Sequence, residues 1–215
     1  MPARPIAPDG PSLGSTVLFD LDGVLIDSHA AFTASVNHAL GEYGLPARDA
    51  GDLRRFIGPP LRGTLAELGV AHEDIDDRVD AYRDHYAVHG AGVTTVFAGI
   101  PEMLAALGAR YRLVIATSKT ASLATAIVRE LGLAPYFDAL HGPADETRGE
   151  PKTETVARAL PAIALIGDTR YDVEAALGNG LRAIGVTWGI GAEDDLRAAG
   201  AEAIVHAPAE LEALL

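Results

Sequence analysis

Apolar residues recur along the chain in short runs that are rich in β-branched side chains. Each run is separated from the next by a helical pattern or by glycine and proline residues. Such runs are typical of strands buried on both faces of a parallel sheet, and their alternation with helices predicts an α/β fold built from βαβ units. The predicted strands span Thr16 to Phe19, Leu113 to Ala116, Ala164 to Ile166, Ala183 to Val186 and Ala203 to Val205.

Helical patterns lie between these strands and after the last one. Pro101 fits the first turn of a helix, where its missing N–H is not needed. Gly132 fits the left-handed residue that commonly ends a helix. The predicted helices span Glu102 to Leu107, Thr120 to Leu131, Thr153 to Leu160, Asp172 to Leu177 and Ala209 to Leu215.

Residues 28–92 break this alternation, because they show helical patterns without a convincing buried strand. They predict an all-helical insertion, here called the cap, between two parts of an α/β core formed by residues 15–27 and 93–215. Residues 1–14 contain four prolines and predict a flexible N-terminal segment. The predicted cap helices span Ala30 to Tyr43, Asp52 to Phe56, Leu61 to Leu68 and Asp74 to His89.

Composition and charge narrow the possible classes of function. A chain of 215 residues suffices for one core and a small insertion. The net charge of −13 and the scattered basic residues argue against nucleic acid as a partner. The sequence has no cysteine, which excludes disulfides and thiolate chemistry, and no apolar stretch suited to a membrane or secretory segment. We therefore expect a soluble, cytoplasmic protein.

Two carboxylates follow directly on the first predicted strand. Asp20 and Asp22 are two residues apart, so on an extended chain their side chains face the same way, and Gly23 then allows a sharp turn. Two carboxylates held together repel each other unless a cation compensates. Magnesium suits this role because it prefers carboxylate and water oxygens.

A second acidic pair, Asp168 and Asp172, follows the strand that ends at Ile166. Loops after different strands meet at the carboxyl edge of an open α/β sheet, so both acidic pairs are expected in one pocket. Four carboxylates in one pocket predict a metal site. For any single aspartate, a structural role in capping a turn or a helix is an equal alternative.

Two other segments carry hydroxyl and ammonium groups that could bind an anion. Thr117, Ser118 and Lys119 follow the strand at 113–116, where hydroxyls and backbone N–H groups can hold phosphate oxygens. Lys152 opens a predicted helix and could place an ammonium group on a transferring phosphoryl group. Taken alone, the first feature also fits a plain helix N-cap, and the second fits a solvated surface lysine.

Four segments, taken in order, resemble the motifs of the haloacid dehalogenase superfamily. They are FDLDGVLIDS at 19–28, IATSK at 115–119, Lys152, and GDTRYD at 167–172, and together they span nearly the whole chain. The resemblance implies a Rossmann-like, doubly wound parallel sheet of strand order 5-4-1-2-3. It also implies an α-helical cap inserted just after the first motif, as in the phosphoglycolate-phosphatase-like members.

The resemblance also implies a reaction, the hydrolysis of a phosphoric ester bond through an aspartyl-phosphate. Asp20 would attack phosphorus, and Asp22 would protonate the leaving alcohol and then activate the water that frees the enzyme. Thr117 and Ser118 would hold phosphoryl oxygens. Lys152 would neutralise the charge that develops on those oxygens in the transition state.

The implied cofactor is Mg²⁺, and the implied partner is a small-molecule phosphate ester. The metal ligands would be Asp20, Asp22, Asp168 and Asp172, with Asp172 supporting either the metal site or Lys152. The substrate would be a small phosphomonoester, such as a phosphoglycolate-like compound, a sugar phosphate or a nucleotide. A monomer and a homodimer are both compatible with the sequence.

Related chemistries remain as alternatives. Dehalogenases of this superfamily lack the second aspartate of the first motif, so Asp22 favours phosphate chemistry. Mutases such as β-phosphoglucomutase carry a cap histidine at about the place that Phe32 holds here, with His29 and His38 nearby. An inorganic pyrophosphatase, a phospho-accepting signalling domain and a catalytically silent binding protein are further alternatives; signalling receivers are shorter and lack a lid.

Substrate choice is expected to lie in the cap. The segment Phe56 to Arg62 resembles one that is common in phosphoglycolate-phosphatase-like enzymes. We expect Arg62, or the neighbouring Arg54 or Arg55, to contact the leaving group, since a guanidinium suits a carboxylate or a second phosphate. A solvated arginine on a helix face is the alternative for each. The sequence suggests no role for Trp188 or for the following residues 189–191.

Overall fold

The computed structural model describes residues 15–147 and 149–215, so the predicted flexible segment, residues 1–14, lies outside the described residues. The strands are β1 (Thr16–Phe19), β2 (Ile26–Asp27), β3 (Thr95–Val96), β4 (Arg112–Ala116), β5 (Ala139–His141), β6 (Ala164–Gly167), β7 (Arg182–Val186) and β8 (Ala203–Val205). The α-helices are α1 (His29–Glu42), α2 (Ala50–Leu53), α3 (Leu61–Glu67), α4 (Ile75–His89), α5 (Ile100–Leu107), α6 (Ala121–Glu130), α7 (Lys152–Arg158), α8 (Arg170–Gly178), α9 (Glu193–Ala199) and α10 (Leu211–Leu214).

Six of these strands form one parallel sheet with the spatial order β5-β4-β1-β6-β7-β8. Counted in chain order within this sheet and read from the far edge, the order is 6-5-4-1-2-3. The predicted order 5-4-1-2-3 is therefore confirmed, with β8 as an additional edge strand. Strand β1 lies in the middle of the sheet, so its carboxyl end is flanked by the ends of β4 and β6.

Four elements of the core were missing from the predicted set: the short strands β2 and β3, the strand β5 and the helix α9. Strand β5 lies at the sheet edge and contains only two apolar residues before His141, so it lacks the apolar run that marks the other strands. Helix α9 contains three acidic residues in its first turn and buries only Leu196, so it has no apolar stripe. Strand β5 and helix α9 are held by neighbours in space rather than by a pattern of their own.

Packing on both faces of the sheet fixes the carboxyl end of β1. Val17 and Phe19 point into the larger apolar cluster and Leu18 points into the cluster on the opposite face, and all three are fully buried. The backbone N–H of Asp20 then donates to the carbonyl of Ile166 at 2.9 Å. The residue that follows β1 is thus fixed by packing on both faces and by a backbone hydrogen bond.

Helices α1 to α4 occupy the region predicted to form the cap. Their apolar side chains, including Val36 and Tyr86, belong to the same cluster as Phe19 of the sheet, so the helices and the sheet share one continuous core. The antiparallel pair β2 and β3 lies where the chain leaves the sheet and where it returns. The domain boundaries themselves stay a prediction. Among the described residues, no helix combines the length and apolar character needed to cross a bilayer.

Candidate active site

Asp20 stands at the carboxyl end of β1 and contacts a buried lysine. Lys152, the first residue of α7, places its Nζ 2.6 Å from Asp20 Oδ1 and also contacts Asp172 Oδ1. Asp20 is 4% exposed and Lys152 is 9% exposed. A lysine this deeply buried is stable only beside carboxylates, so the lysine and the two aspartates form one charged unit.

Asp168 in the turn after β6 and Asp172 in the first turn of α8 reach the same place. Asp172 is held by a capping box at the start of α8, in which Thr169 donates to Asp172 Oδ2 from its backbone N–H at 2.9 Å and from its hydroxyl at 2.7 Å. Asp168 Oδ2 accepts the backbone N–H of Ile190 at 2.8 Å. These bonds engage one oxygen of each carboxylate, and the second oxygen of Asp172 contacts Lys152.

The carboxylates of Asp20, Asp168 and Asp172 form a compact buried group, here called the acidic cluster. Each of the three offers one oxygen, and these oxygens all lie within 4.8 Å of one another. Burial, opposed by the charge of Lys152 and assisted by that of Asp172, raises the pKa of Asp20 to about 7. Burial, followed by the charges of Asp172 and Asp20, raises the pKa of Asp168 well above its ordinary value. The single positive charge of Lys152 therefore does not balance the acidic cluster.

The acidic cluster fits a magnesium ion by its donor chemistry. Asp168 Oδ1 is buried and accepts no hydrogen bond from any residue in the described part of the chain. A buried oxygen without a donor is costly unless another partner satisfies it. Magnesium takes carboxylate oxygens as ligands, and its charge would offset the mutual repulsion of the three aspartates.

Asp22, the fourth predicted metal ligand, has its carboxylate outside the acidic cluster. Its Oδ2 lies 3.4 Å from Nζ of Lys119, and the residue lines a cavity next to the cluster. Asp20 and Asp22 were expected to converge, and both line this cavity, but each carboxylate pairs with a different lysine. Lys119 belongs to the second motif but had no assigned role in the sequence analysis.

Thr117 and Ser118 follow β4 and line the same cavity. The backbone N–H of Thr117 donates to the carbonyl of His141 in β5 at 3.0 Å, so the edge strand that the sequence analysis missed fixes this residue. The Thr117 hydroxyl accepts the backbone N–H of Lys119 at 3.2 Å. The two hydroxyls therefore lie on the cavity wall that also holds Asp20 and Asp22.

The cavity encloses about 110 Å³ between the sheet edge and the helices of the cap. The core contributes Asp20, Asp22 and the segment 117–120. The cap and its loops contribute Phe32, residues 56–61, Tyr82 and Arg83. Side chains of the cap thus face the carboxylates directly, and a molecule bound to Asp20 would touch both parts of the protein.

The arginines of the cap differ from expectation in their placement. Arg62 lines a smaller neighbouring cavity and forms an ion pair with Asp76, so its predicted contact with a leaving group stays a prediction. Arg54 donates to the carbonyl of Gly189 at 2.8 Å, and Arg55 pairs with Glu67.

Arg83 lines the main cavity and donates to the carbonyl of Asp145 at 2.7 Å. Its helical context on α4 gave no sign of this position.

The loop after β7, for which the sequence suggested no role, supports the acidic cluster. Trp188 Nε1 donates to the carbonyl of Val24 at 2.9 Å, which ties this loop to the turn after the first motif. A Cβ on Gly189 would lie 2.4 Å from Asp168 Oδ2, and one on Gly191 would lie 2.0 Å from the Asp168 carbonyl oxygen. The glycines therefore allow a close approach that delivers the Ile190 N–H to Asp168.

Replacing Gly191 with alanine is expected to destabilise the protein by about 1 to 3 kcal/mol, the usual cost of forcing a methyl group into a packed site. The new methyl must displace Asp168, so Mg²⁺ affinity should fall as well. Urea unfolding and calorimetric titration measure the two effects. Gly63→Ala is the matched control, since nothing lies within 4 Å of its added Cβ in α3 and the change should leave stability equal or slightly higher. Equal behaviour of the two variants would contradict the assigned role.

Comparison with known proteins agrees with this geometry. The model of the haloacid dehalogenase-like hydrolase family matches residues 17–186. The chain is 32% identical over 199 residues to the tyrosine-protein kinase PtkA of Mycobacterium tuberculosis, covering 89% of this chain and 68% of that protein. It is 37% identical over 191 residues to a 5′-nucleotidase of Pseudomonas aeruginosa, covering 85% and 86%. It is 31% identical over 214 residues to a plasmid phosphoglycolate phosphatase of Cupriavidus necator, covering 94% and 93%.

A solved structure extends the likeness to three dimensions. The crystal structure of a predicted phosphatase from Clostridium acetobutylicum matches with a TM-score of 0.88 at 36% identity, covering 94% of this chain and 98% of that chain. The comparisons confirm the phosphoglycolate-phosphatase-like resemblance and the predicted enzyme class, a hydrolase of phosphoric esters. The chain belongs to the haloacid dehalogenase-like hydrolase family.

Proposed function

We propose that this protein is a Mg²⁺-dependent phosphatase that hydrolyses a small phosphomonoester through an aspartyl-phosphate at Asp20. The observation that carries the proposal is the position of Asp20. Its carboxylate belongs to the acidic cluster, contacts Lys152 at 2.6 Å and lines the cavity under the cap. Asp20 would thus supply the nucleophile at this cavity, with Lys152 as the cation for the phosphoryl group and the acidic cluster as the metal site.

The first step transfers the phosphoryl group to the enzyme. A carboxylate oxygen of Asp20 forms a bond to phosphorus while the ester P–O bond breaks, and Asp22 gives its proton to the leaving oxygen. The hydroxyls of Thr117 and Ser118 hold phosphoryl oxygens, and Lys152 stabilises the negative charge that spreads over them.

The second step frees the enzyme. Asp22, now ionised, takes a proton from a water molecule whose oxygen attacks phosphorus, and the bond to Asp20 breaks to give back the carboxylate. The predicted metal ligands are Asp20, Asp22, Asp168 and Asp172, of which the first, third and fourth place their carboxylates together. When bound, Mg²⁺ supplies positive charge that orients the phosphoryl group and lowers the repulsion between it and Asp20.

The cavity favours hydrolysis over phosphoryl transfer within a sugar. Phe32 lies on the cavity wall at the place where the related mutases carry a histidine. Of the two nearby histidines, His29 bonds the carbonyl of Ala50 at 2.7 Å and His38 stacks on His85, and neither is among the lining residues that the structure describes. Water is then the acceptor that remains for the aspartyl-phosphate.

A phosphate-release screen tests the proposal. The panel contains phosphoglycolate, sugar phosphates, nucleoside monophosphates and pyrophosphate, each assayed with Mg²⁺ and with excess EDTA. We expect release from at least one monoester with Mg²⁺ and none with EDTA. Isomerised sugar phosphate without free phosphate would favour a mutase, and turnover restricted to pyrophosphate would favour a pyrophosphatase. Absence of turnover on the whole panel would overturn the proposal in favour of a non-enzymatic phosphate-binding protein.

A further inference from the structure

The chain contains two lysines, Lys119 and Lys152, and each places a largely covered side chain on an aspartate of the first motif. Lys152 contacts Asp20, and Lys119 contacts Asp22. All other positive side chains are arginines or histidines. Lysine side chains are rarely covered without a specific partner. Lys119, which has no role in the proposed reaction, is therefore expected to have a function at Asp22.

Lys119 joins the core to the cap. It follows β4 in the core, and its side chain is 9% exposed. Its Nζ lies 3.4 Å from Asp22 Oδ2 and 4.0 Å from the ring centroid of Tyr86, a residue of the cap helix α4. A desolvated ammonium over an aromatic face is attracted by the ring as well as by the carboxylate. Burial opposes the charged form of Lys119, but Asp22 and then Tyr86 and Tyr82 raise its pKa above the ordinary value.

Tyr86 in turn packs against the segment that leads from the cap back to the sheet. It is 1% exposed, and its ring lies so close to Gly90 that an added Cβ there would come within 2.3 Å of it. Its hydroxyl lies 3.5 Å from the hydroxyl of Thr94. A change in the angle of the cap at this connection would therefore move the ring on which Lys119 rests.

We propose that Lys119 is a positioning residue for Asp22, and that Tyr86 of the cap holds Lys119 in the place where it does this. Lys119 draws the Asp22 carboxylate away from the acidic cluster and toward the cavity, where the leaving group would lie. Asp22 is then correctly oriented only while the cap is seated on the core. This inference rests on the proposed phosphatase function, in which Asp22 protonates the leaving oxygen.

The dependence of rate on the leaving group tests this role. An alkyl phosphate needs a proton on its leaving oxygen, whereas p-nitrophenyl phosphate releases a stable anion without one. Replacing Lys119 with methionine should lower kcat/KM for an alkyl phosphate by roughly 10- to 100-fold more than for p-nitrophenyl phosphate. Lys119→Arg, which keeps the charge, should recover part of the difference. A loss of equal size on both substrates would overturn the inference, because a purely structural role affects both alike.

The contribution of the cap is tested at Tyr86. Tyr86→Phe keeps the ring under Lys119 and should keep the wild-type ratio between the two substrates, whereas Tyr86→Leu should shift the ratio in the same direction as Lys119→Met. Tyr43→Leu removes a half-buried tyrosine elsewhere in the cap and should leave the ratio unchanged. An unshifted ratio in Tyr86→Leu would overturn the part assigned to the cap. Inactivity of the wild-type protein on both substrates would instead overturn the phosphatase function.

Discussion

Replacing Asp20 with asparagine is expected to reduce phosphate release by about four orders of magnitude or more, the scale seen when an enzyme loses its nucleophile. The amide has nearly the same size as the carboxylate, but it cannot form an acyl phosphate. Its oxygen can still accept a hydrogen bond from Lys152, which contacts Asp20 Oδ1 at 2.6 Å in the native protein. We therefore expect the variant to fold, and steady-state phosphate release with Mg²⁺ measures the loss.

Asp52→Asn provides the matched control, because Asp52 is an exposed carboxylate in the short cap helix α2. This variant should retain wild-type turnover. Far-UV circular dichroism establishes that both variants are folded before their rates are compared. If folded Asp20→Asn kept its rate within tenfold of the wild-type rate, Asp20 would not be the nucleophile.

Replacing Lys152 with methionine is expected to lower the free energy of unfolding by about 3 to 5 kcal/mol at neutral pH in the presence of EDTA, the usual cost of removing one partner from a buried ion pair. The acidic cluster would then contain three buried carboxylates without their cation. Phosphate release should fall as well, because the ammonium would no longer stabilise the transferring group. Urea unfolding monitored by tryptophan fluorescence measures the stability change.

The deficit of Lys152→Met should depend on pH in a definite direction. Burial holds the pKa of Asp20 at about 7 even with Lys152 present, so the folded carboxylate binds a proton at a higher pH than the unfolded one, whose pKa is near 3.8. A group of this kind destabilises the fold above the unfolded pKa, and the cost disappears as the pH falls and the folded group becomes protonated. Because Lys152 lowers the pKa of Asp20, removing it increases this cost. The loss of unfolding free energy in Lys152→Met should therefore be larger at pH 8 than at pH 5.

Arg158→Met serves as the control for Lys152→Met. Arg158 lies on the same helix, α7, and pairs with Glu150 at 2.6 Å, but its side chain is 44% exposed. Exposed ion pairs contribute about 0 to 1 kcal/mol, so this variant should stay close to wild type at both pH values. Equal losses in the two variants would show that Lys152 is no more than a surface-type ion pair.

The fold was predictable where a buried strand leaves a continuous apolar run. Strand β1 is buried on both faces, and its four residues show that burial directly in their side chains. Strand β5 and helix α9 lie at the edges of the fold and have few apolar residues, so no local pattern identified them. The strand order came from the family resemblance, because local pattern alone does not determine which strands become neighbours.

The candidate site divides in the same way. Asp20 and Asp168 stand directly after strands and Asp172 lies in the first turn of the helix that follows β6, and the topology of a parallel sheet brings such residues together. The contacts of Arg83 with the cavity and of Lys119 with Tyr86 depend on how the cap meets the core. Those contacts join residues that are distant in sequence, so residue type and spacing gave no indication of them.

The glycines of the loop after β7 were visible in the sequence, but their packing partners could not be predicted from it. Gly189 and Gly191 could be seen in the sequence, but a pair of glycines predicts only a tight or closely packed backbone. What they pack against, the carboxylate and backbone of Asp168, became visible only in the structure. A glycine-rich loop after the strand that follows the last motif is therefore a useful place to look for support of an acidic cluster.

Chemical trapping of the aspartyl-phosphate tests the central claim most directly. Asp22→Asn is mixed with p-nitrophenyl phosphate and Mg²⁺, because this substrate needs no proton to react and the variant lacks the base for the second step. The mixture is quenched in acid and reduced with borohydride, which converts an aspartyl-phosphate to homoserine, and its peptides are sequenced by mass spectrometry. We predict homoserine at position 20 in the sample with substrate and aspartate there in the sample without it. A burst of nitrophenol with an unmodified Asp20, or homoserine at another position, would contradict the account.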